Sequence, residues 1–173
     1  MWQSANSENE KGTQKMKKFT PYIVEAFDKP YKFKNVGLSK KEGGIKYNFF
    51  ADQKSEVEVY FESYFDTDED EDNGEESFAI SFDRNGSGAV TGDGDAMRIF
   101  ATVISIIKEV VKKRKPKVME FSAMKDAVAA RSSAKSSREK LYDRMLKRYA
   151  GQMGYTYEKF SAGVETEFVL RRK

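Results

Sequence analysis

Residues 91–123, TGDGDAMRIFATVISIIKEVVKKRKPKVMEFSA, decide how this chain folds. Gly92 and Gly94 permit a tight turn. Asp95 stands where it can cap a helix that runs to about Arg114. Met97, Phe100, Ala101, Ile104, Ile107 and Val111 recur at helical spacing and define its apolar stripe. The basic run 112–117 complements the negative end of the helix, and Pro116 stops it. At Val118 the pattern changes, and residues 118–123 read as a short strand. A glycine turn therefore opens a long helix, and a short buried strand follows it.

Working back from this stretch, the chain reads as strands. Residues 31–38 alternate, and so do 45–51 and 56–65. In the last of these, Val57, Val59, Phe61 and Phe65 alternate with Glu56, Glu58, Tyr60, Glu62 and Tyr64, giving one core face and one acidic, tyrosyl face. An acidic tip, DTDEDEDNGEE, reads as a solvated loop before a strand at 77–83; its spacing fits no twelve-residue calcium loop. Working forward, residues 124–136 are small and polar and read as a loop. Ser137 is placed to cap a helix from Arg138 to about Gln152, with Leu141, Met145 and Tyr149 on its inner face and Tyr142 beside them. Gly154 ends it, and residues 155–161 and 165–171 form a hairpin around Ala162 and Gly163. The expected fold is α+β (α/β), a single domain over 31–173. Its sheet is mixed and mostly antiparallel, with two main helices in the order β-β-β-β-α-β-α-β-β.

Composition narrows the chemistry. The 173 residues hold no cysteine and no histidine, which removes disulfides, thiolate nucleophiles, zinc fingers and imidazole bases together. Acid–base chemistry must use Asp, Glu, Tyr, Lys or water, and no metal site is expected. The longest apolar run, 99–107, is interrupted by Thr102 and Ser105 and is too short to span a bilayer, so no membrane partner is expected. The net charge of +3 hides an asymmetry. Residues 50–96 carry 15 acidic and 2 basic side chains, whereas 108–173 carry 18 basic and 8 acidic. Such a division points to a binding face or to halves that attract each other.

The N-terminal segment divides in two. Residues 1–15 are polar and aperiodic and read as disordered or as a non-native extension before a start at Met16. Within 16–30, Phe19, Ile23, Ala26 and Phe27 recur at helical spacing, Thr20 and Pro21 suit a helix start, and Pro30 stops it. The start MKKF, the short amphipathic helix and Ile23-Val24-Glu25-Ala26 resemble the capsid-targeting leaders of internal head proteins in T-even-type tailed phages. That resemblance implies cleavage after Glu25, leaving Ala26 first, and a location in the virion interior or the host cytoplasm. Phage head or genome DNA, or a host protein, would be the partner.

The order of elements over 76–171 resembles the C-terminal half of the GNAT superfamily of N-acetyltransferases. In that superfamily an Arg/Gln-x-x-Gly-x-Gly/Ala turn and the helix it opens hold the pyrophosphate of coenzyme A. The resemblance places Thr91 at the Arg/Gln position and Gly92, Gly94 and Ala96 at the turn. It implies acetyl-CoA as cofactor and direct acyl transfer to an amine. Leu141-Tyr142 resembles the Leu-Tyr whose hydroxyl protonates the departing thiolate, so Tyr142 is the implied catalytic acid. A backbone group near Ser81 would orient the acyl group, with Glu58 or Glu62 acting as base through water. The alternative expectation is a non-catalytic module that uses its basic C-terminal half. Lys112, Lys113, Arg114, Lys115, Arg144, Lys147 and Arg148 would meet nucleic-acid phosphates, with tyrosines nearby for stacking.

Overall fold

Alternating side chains in the third strand build the middle of the sheet. A computed structural model describes residues 29–37, 44–51, 55–65, 67–86, 95–124 and 137–173. The elements in chain order are β1 (Phe33–Asn35), β2 (Gly44–Ala51), β3 (Ser55–Tyr64), α1 (Asp68–Asn73), β4 (Ser77–Arg84), α2 (Ala96–Arg114), β5 (Val118–Met124), α3 (Ser137–Tyr149), β6 (Tyr155–Ala162) and β7 (Glu165–Arg172). The strands form one seven-stranded sheet in the order β1-β2-β3-β4-β5-β7-β6. Among the described residues, only β4 and β5 pair in parallel. The architecture is thus α+β with a mixed, mostly antiparallel sheet.

Parallel neighbours cannot be joined by a tight turn, so the chain crosses back over the sheet through α2. Val57, Val59 and Phe61 of β3 are fully buried and face this helix layer. Their burial stabilises the fold by roughly 1.5–3 kcal/mol per side chain. Both long helices lie on this face. Phe82 of β4 packs on Phe100 of α2, and Phe82, Phe121 and Phe168 of β4, β5 and β7 pack on Tyr142 of α3. The opposite face presents the other strand positions, among them Glu58, Tyr60, Glu62, Ser81, Glu120, Glu158 and Glu167, matched by register across the strands.

Several expectations need correction. The order carries an extra helix, α1, inside the acidic segment expected to be a plain loop. The strand expected over 31–38 pairs only at Phe33–Asn35. Tyr31 instead stacks on Phe49, donates its backbone N–H to Thr102 Oγ1 at 2.8 Å, and lies under the Arg98 guanidinium. Phe65, expected on the core face, lies beyond the strand and is exposed. The apolar face of α2 is broader than the stripe and is rotated at its end, because Val110 is buried and Val111 only half-buried. Asp95 is at the N-cap position but makes no side-chain cap hydrogen bond, since its carboxylate is drawn to Arg84. Helix α3 stops at Tyr149 rather than near Gln152; a 3-10 turn, Gly151–Met153, follows, and Gly154 closes it at φ 83°. The leader, with Glu25 and Ala26, and the turn residues Thr91, Gly92 and Gly94 lie outside the described residues.

Candidate functional site

The parallel ladder between β4 and β5 is short. It holds Phe78↔Met119 and Ala79↔Glu120 and then ends. Past that point β4 stays with β3 as far as Arg84, and β5 stays with β7 as far as Met124. The two strands therefore diverge toward their carboxyl ends. Crevices at the carboxyl ends of parallel strands are the usual ligand sites of open sheets. Here α2 begins where β4 has ended, so a helix N-terminus faces the same end of the sheet.

A cavity of about 510 Å³ occupies the open face of the split. Its lining includes Ser81 on β4, Glu120 and Ser122 on β5, Phe160 on β6, Glu165 and Glu167 on β7, and Glu62 on β3. Among the described residues, four carboxylates and no cation line it. Carboxylates gathered around one cavity repel one another. A bound cation would relieve that repulsion. No group of three or more His, Cys, Asp or Glu among the described residues is placed to hold a metal ion. The lining instead suits an organic ammonium group, and Phe160, 51 % exposed, offers an apolar surface for its carbon stem.

Ile80 and Phe121 line this cavity and also a small apolar void on the helix side, about 20 Å³, with Phe82, Phe100 and Tyr142. Tyr142 is 4 % exposed and its ring touches those of Phe82, Phe100, Phe121 and Phe168. The structure therefore brings Tyr142 to the split, on the side away from the carboxylates. Glu62 is in the cavity. Glu58 is not: Lys46 and Tyr60 engage it, and their hydrogen bonds hold its carboxyl below the usual range. Glu58 as base is corrected accordingly.

At the start of α2, Ala96 is half-buried, and Asp95 pairs with Arg84 at 3.2 Å, with both side chains under 10 % exposed. Arg84 also donates to Ser55 Oγ at 3.0 Å, while Asn85 and Glu56 exchange hydrogen bonds. The guanidinium thus offsets the negative charge that Asp95 would otherwise place at this helix end.

The basic residues gather at the opposite end, where α2 and α3 finish together and Lys108 lies over the Tyr149 ring. Three of the seven expected phosphate contacts are already engaged. Lys113 pairs with Glu109, Lys147 with Asp143, and Arg114 clasps both oxygens of Glu76. Lys112, Lys115, Arg144 and Arg148 are exposed. These charges complement the helix carboxyl ends and the acidic side chains around them.

Sequence reasoning missed Arg84, Glu120, Ser122, Phe160, Glu165 and Glu167. The alternation of Glu165 and Glu167 with Thr166 and Phe168 was a usable signal for an acidic outer face. The convergence of β5, β6 and β7 on one cavity was not, because it depends on strand order. No helix among the described residues is long and apolar enough to cross a membrane. No protein-family model matches the chain, and no curated protein sequence matches it significantly.

Proposed function

We propose that this chain is a GNAT-like N-acyltransferase whose acceptor amine enters the acidic cavity of the split sheet. The observation that carries the reading is the divergence of β4 and β5 after Ala79↔Glu120, with a cavity of about 510 Å³ opening there. The cavity volume falls within the range of small-molecule sites, about 300–1,000 Å³.

The residues in place fit an acyl thioester such as acetyl-CoA in two respects. The first turn of α2 carries no acidic side chain, and Arg84 offsets Asp95 just before it. The room for such a group is on the open face, since the helix-side void of about 20 Å³ holds no more than a water. When bound, the thioester supplies the electrophilic acyl carbon. The chain's own residues do the rest. The four carboxylates attract the ammonium form of the acceptor and hold it against Phe160. Glu62, or Glu120 beside the last paired residue of β4, accepts the proton that makes the amine nucleophilic. Tyr142, which the resemblance makes the donor to the leaving thiolate, is buried on the helix side of Ile80 and Phe121, so a thiolate in the open-face cavity leaves without a proton from it. The leader reading of 16–30 adds packaging in a phage head, with Ala26 as the mature N-terminus.

A direct assay exploits the absence of cysteine. With acetyl-CoA and spermidine or a lysine peptide, a thiol-reactive dye reads only released coenzyme A. Amine-dependent release, reduced at least about tenfold in E62Q or E120Q, is the expected result. Release no faster than in a protein-free control overturns the reading.

A second reading has one observation in its favour: Lys112, Lys115, Arg144 and Arg148 are exposed at one end of the helix layer. We propose it as a weak, salt-sensitive contact with nucleic-acid phosphates.

A further inference from the structure

We infer that exposed cations of α2 and α3 form a single file that carries one strand of nucleic acid by its phosphates. This deepens the second reading above, on which it rests, and is independent of the acyltransferase reading. The file is Lys140, Arg144 and Arg148 on α3, then Lys108 and Lys112 on α2, all exposed. Within each helix its members stand four residues apart, a repeat of about 6 Å. Like charges at that spacing weaken a helix. On the neighbouring stripe both helices carry the opposite solution: Glu109 pairs with Lys113 at 2.6 Å and Asp143 with Lys147 at 3.0 Å. Among the described residues, no cation of the file has a carboxylate partner. An anion from outside the chain would offset the repulsion left there.

The two helices are aligned so that their stripes join end to end. Tyr142 of α3 packs on Phe100 of α2 at 4.8 Å, and two turns later on both helices Tyr149 meets Lys108. The helices therefore run side by side in the same direction. On that alignment Lys140, Arg144 and Arg148 come before the level of Lys108, and Lys112 lies one turn beyond it. At the hand-over, Lys108 Nζ lies 4.3 Å and Arg148 Cζ 5.4 Å from the centre of the Tyr149 ring. One ring thus holds the last cation of the first stripe and the first cation of the second. Its partners are cations, so Tyr149 gathers charge rather than offering a platform to a base. A single file with one hand-over fits one phosphodiester strand running along the helices. A duplex groove would ask for two rows that face each other. Contacts to phosphates carry no base information, so the strand is held without regard to sequence.

Fluorescence anisotropy at low salt, with a labelled oligothymidylate and a labelled duplex of the same length, tests the file. The single strand is expected to bind more tightly than the duplex, with a log–log salt slope of about −3.5, or about −0.7 for each cation of the file. K108Q/R148Q removes both charges of the hand-over. It is expected to weaken single-strand binding at least about tenfold and to flatten the slope to about −2, with helix content unchanged by circular dichroism. K32Q/K34Q removes two exposed charges at the β1 edge of the sheet and is the charge-matched control; a loss below about threefold is expected. A duplex bound as tightly as the single strand, or equal losses in K108Q/R148Q and K32Q/K34Q, overturns the file and leaves a general phosphate contact standing. Binding of neither oligonucleotide overturns the phosphate contact and the file with it.

Discussion

Arg84 and Asp95 form an ion pair withdrawn from water, with Ser55 as a further partner of the guanidinium. Removing one member of such a pair strands the other charge. R84M should therefore cost about 3–5 kcal/mol in urea unfolding, and R84M/D95L should recover most of it. Equal losses in R84M and R84M/D95L would show that Asp95 is not a stranded charge once Arg84 is gone. Tyr155 makes a second residue-scale case. Its hydroxyl donates to the Pro116 carbonyl at 2.6 Å, and burial pushes its pKa up to about 12. The folded form thus keeps a proton that the unfolded chain gives up near pH 10. Its contribution to stability is complete below pH 10 and is lost as the pH rises toward 12, on the order of 2 kcal/mol. Y155F should shift alkaline unfolding to higher pH while lowering stability at neutral pH. Tyr157, raised by burial and by its bond to Asp143, titrates in the same direction. The sequence showed neither the Arg84–Asp95 pair nor the Tyr155–Pro116 bond. Arg84 and Asp95 are eleven positions apart and no local pattern pairs them, and Tyr155 meets Pro116 only after the β5-β7-β6 strand order is formed.

Helix α2 shows what periodicity can and cannot tell. Its existence, its end at Arg114 and four of its nine buried residues, Phe100, Ala101, Ile104 and Ile107, follow from the 3.6-residue repeat. The rotation at its end does not, because the sheet and α3 together bury more than one stripe. Val110 is 1 % exposed, while Val111 is half-buried. V110A should cost about 2 kcal/mol and V111A less than about 1, as read by thermal or urea unfolding. The reverse order would mean that the helix sits on its originally expected stripe. The strands were legible for the same reason, through their period of two. Helix α1 was not, because Asp68–Asn73 consists only of Asp, Glu and Asn and has no apolar face to announce it. The split between β4 and β5 was equally hidden. Residues 77–84 and 118–124 each look like ordinary strands, and neither shows locally that their shared ladder stops at Ala79↔Glu120.

For the molecule as a whole, the charge division seen along the sequence becomes a division in space. Carboxylates occupy the open face of the sheet, and exposed cations gather where the two helices end. Among the described residues the two halves pair locally, as in Arg114 with Glu76 and Arg172 with Glu75. With Lys113, Arg114 and Lys147 engaged, about four cations remain for phosphates. The logarithm of DNA affinity against that of salt should therefore slope no more steeply than about −4. A slope near −7 would show that the ion pairs open to bind nucleic acid. N-terminal sequencing of protein from purified virions tests the leader, with Ala26 as the expected first residue. The core of the account, however, is that the split sheet receives an acyl thioester and an amine. Thermal unfolding with and without millimolar acetyl-CoA tests this most directly. A ligand at a hundred times its dissociation constant adds about 2.7 kcal/mol, which for a chain of this size raises Tm by roughly 5–10 °C. A rise of that order, smaller with free coenzyme A, is expected; an unchanged Tm at millimolar ligand would contradict the account.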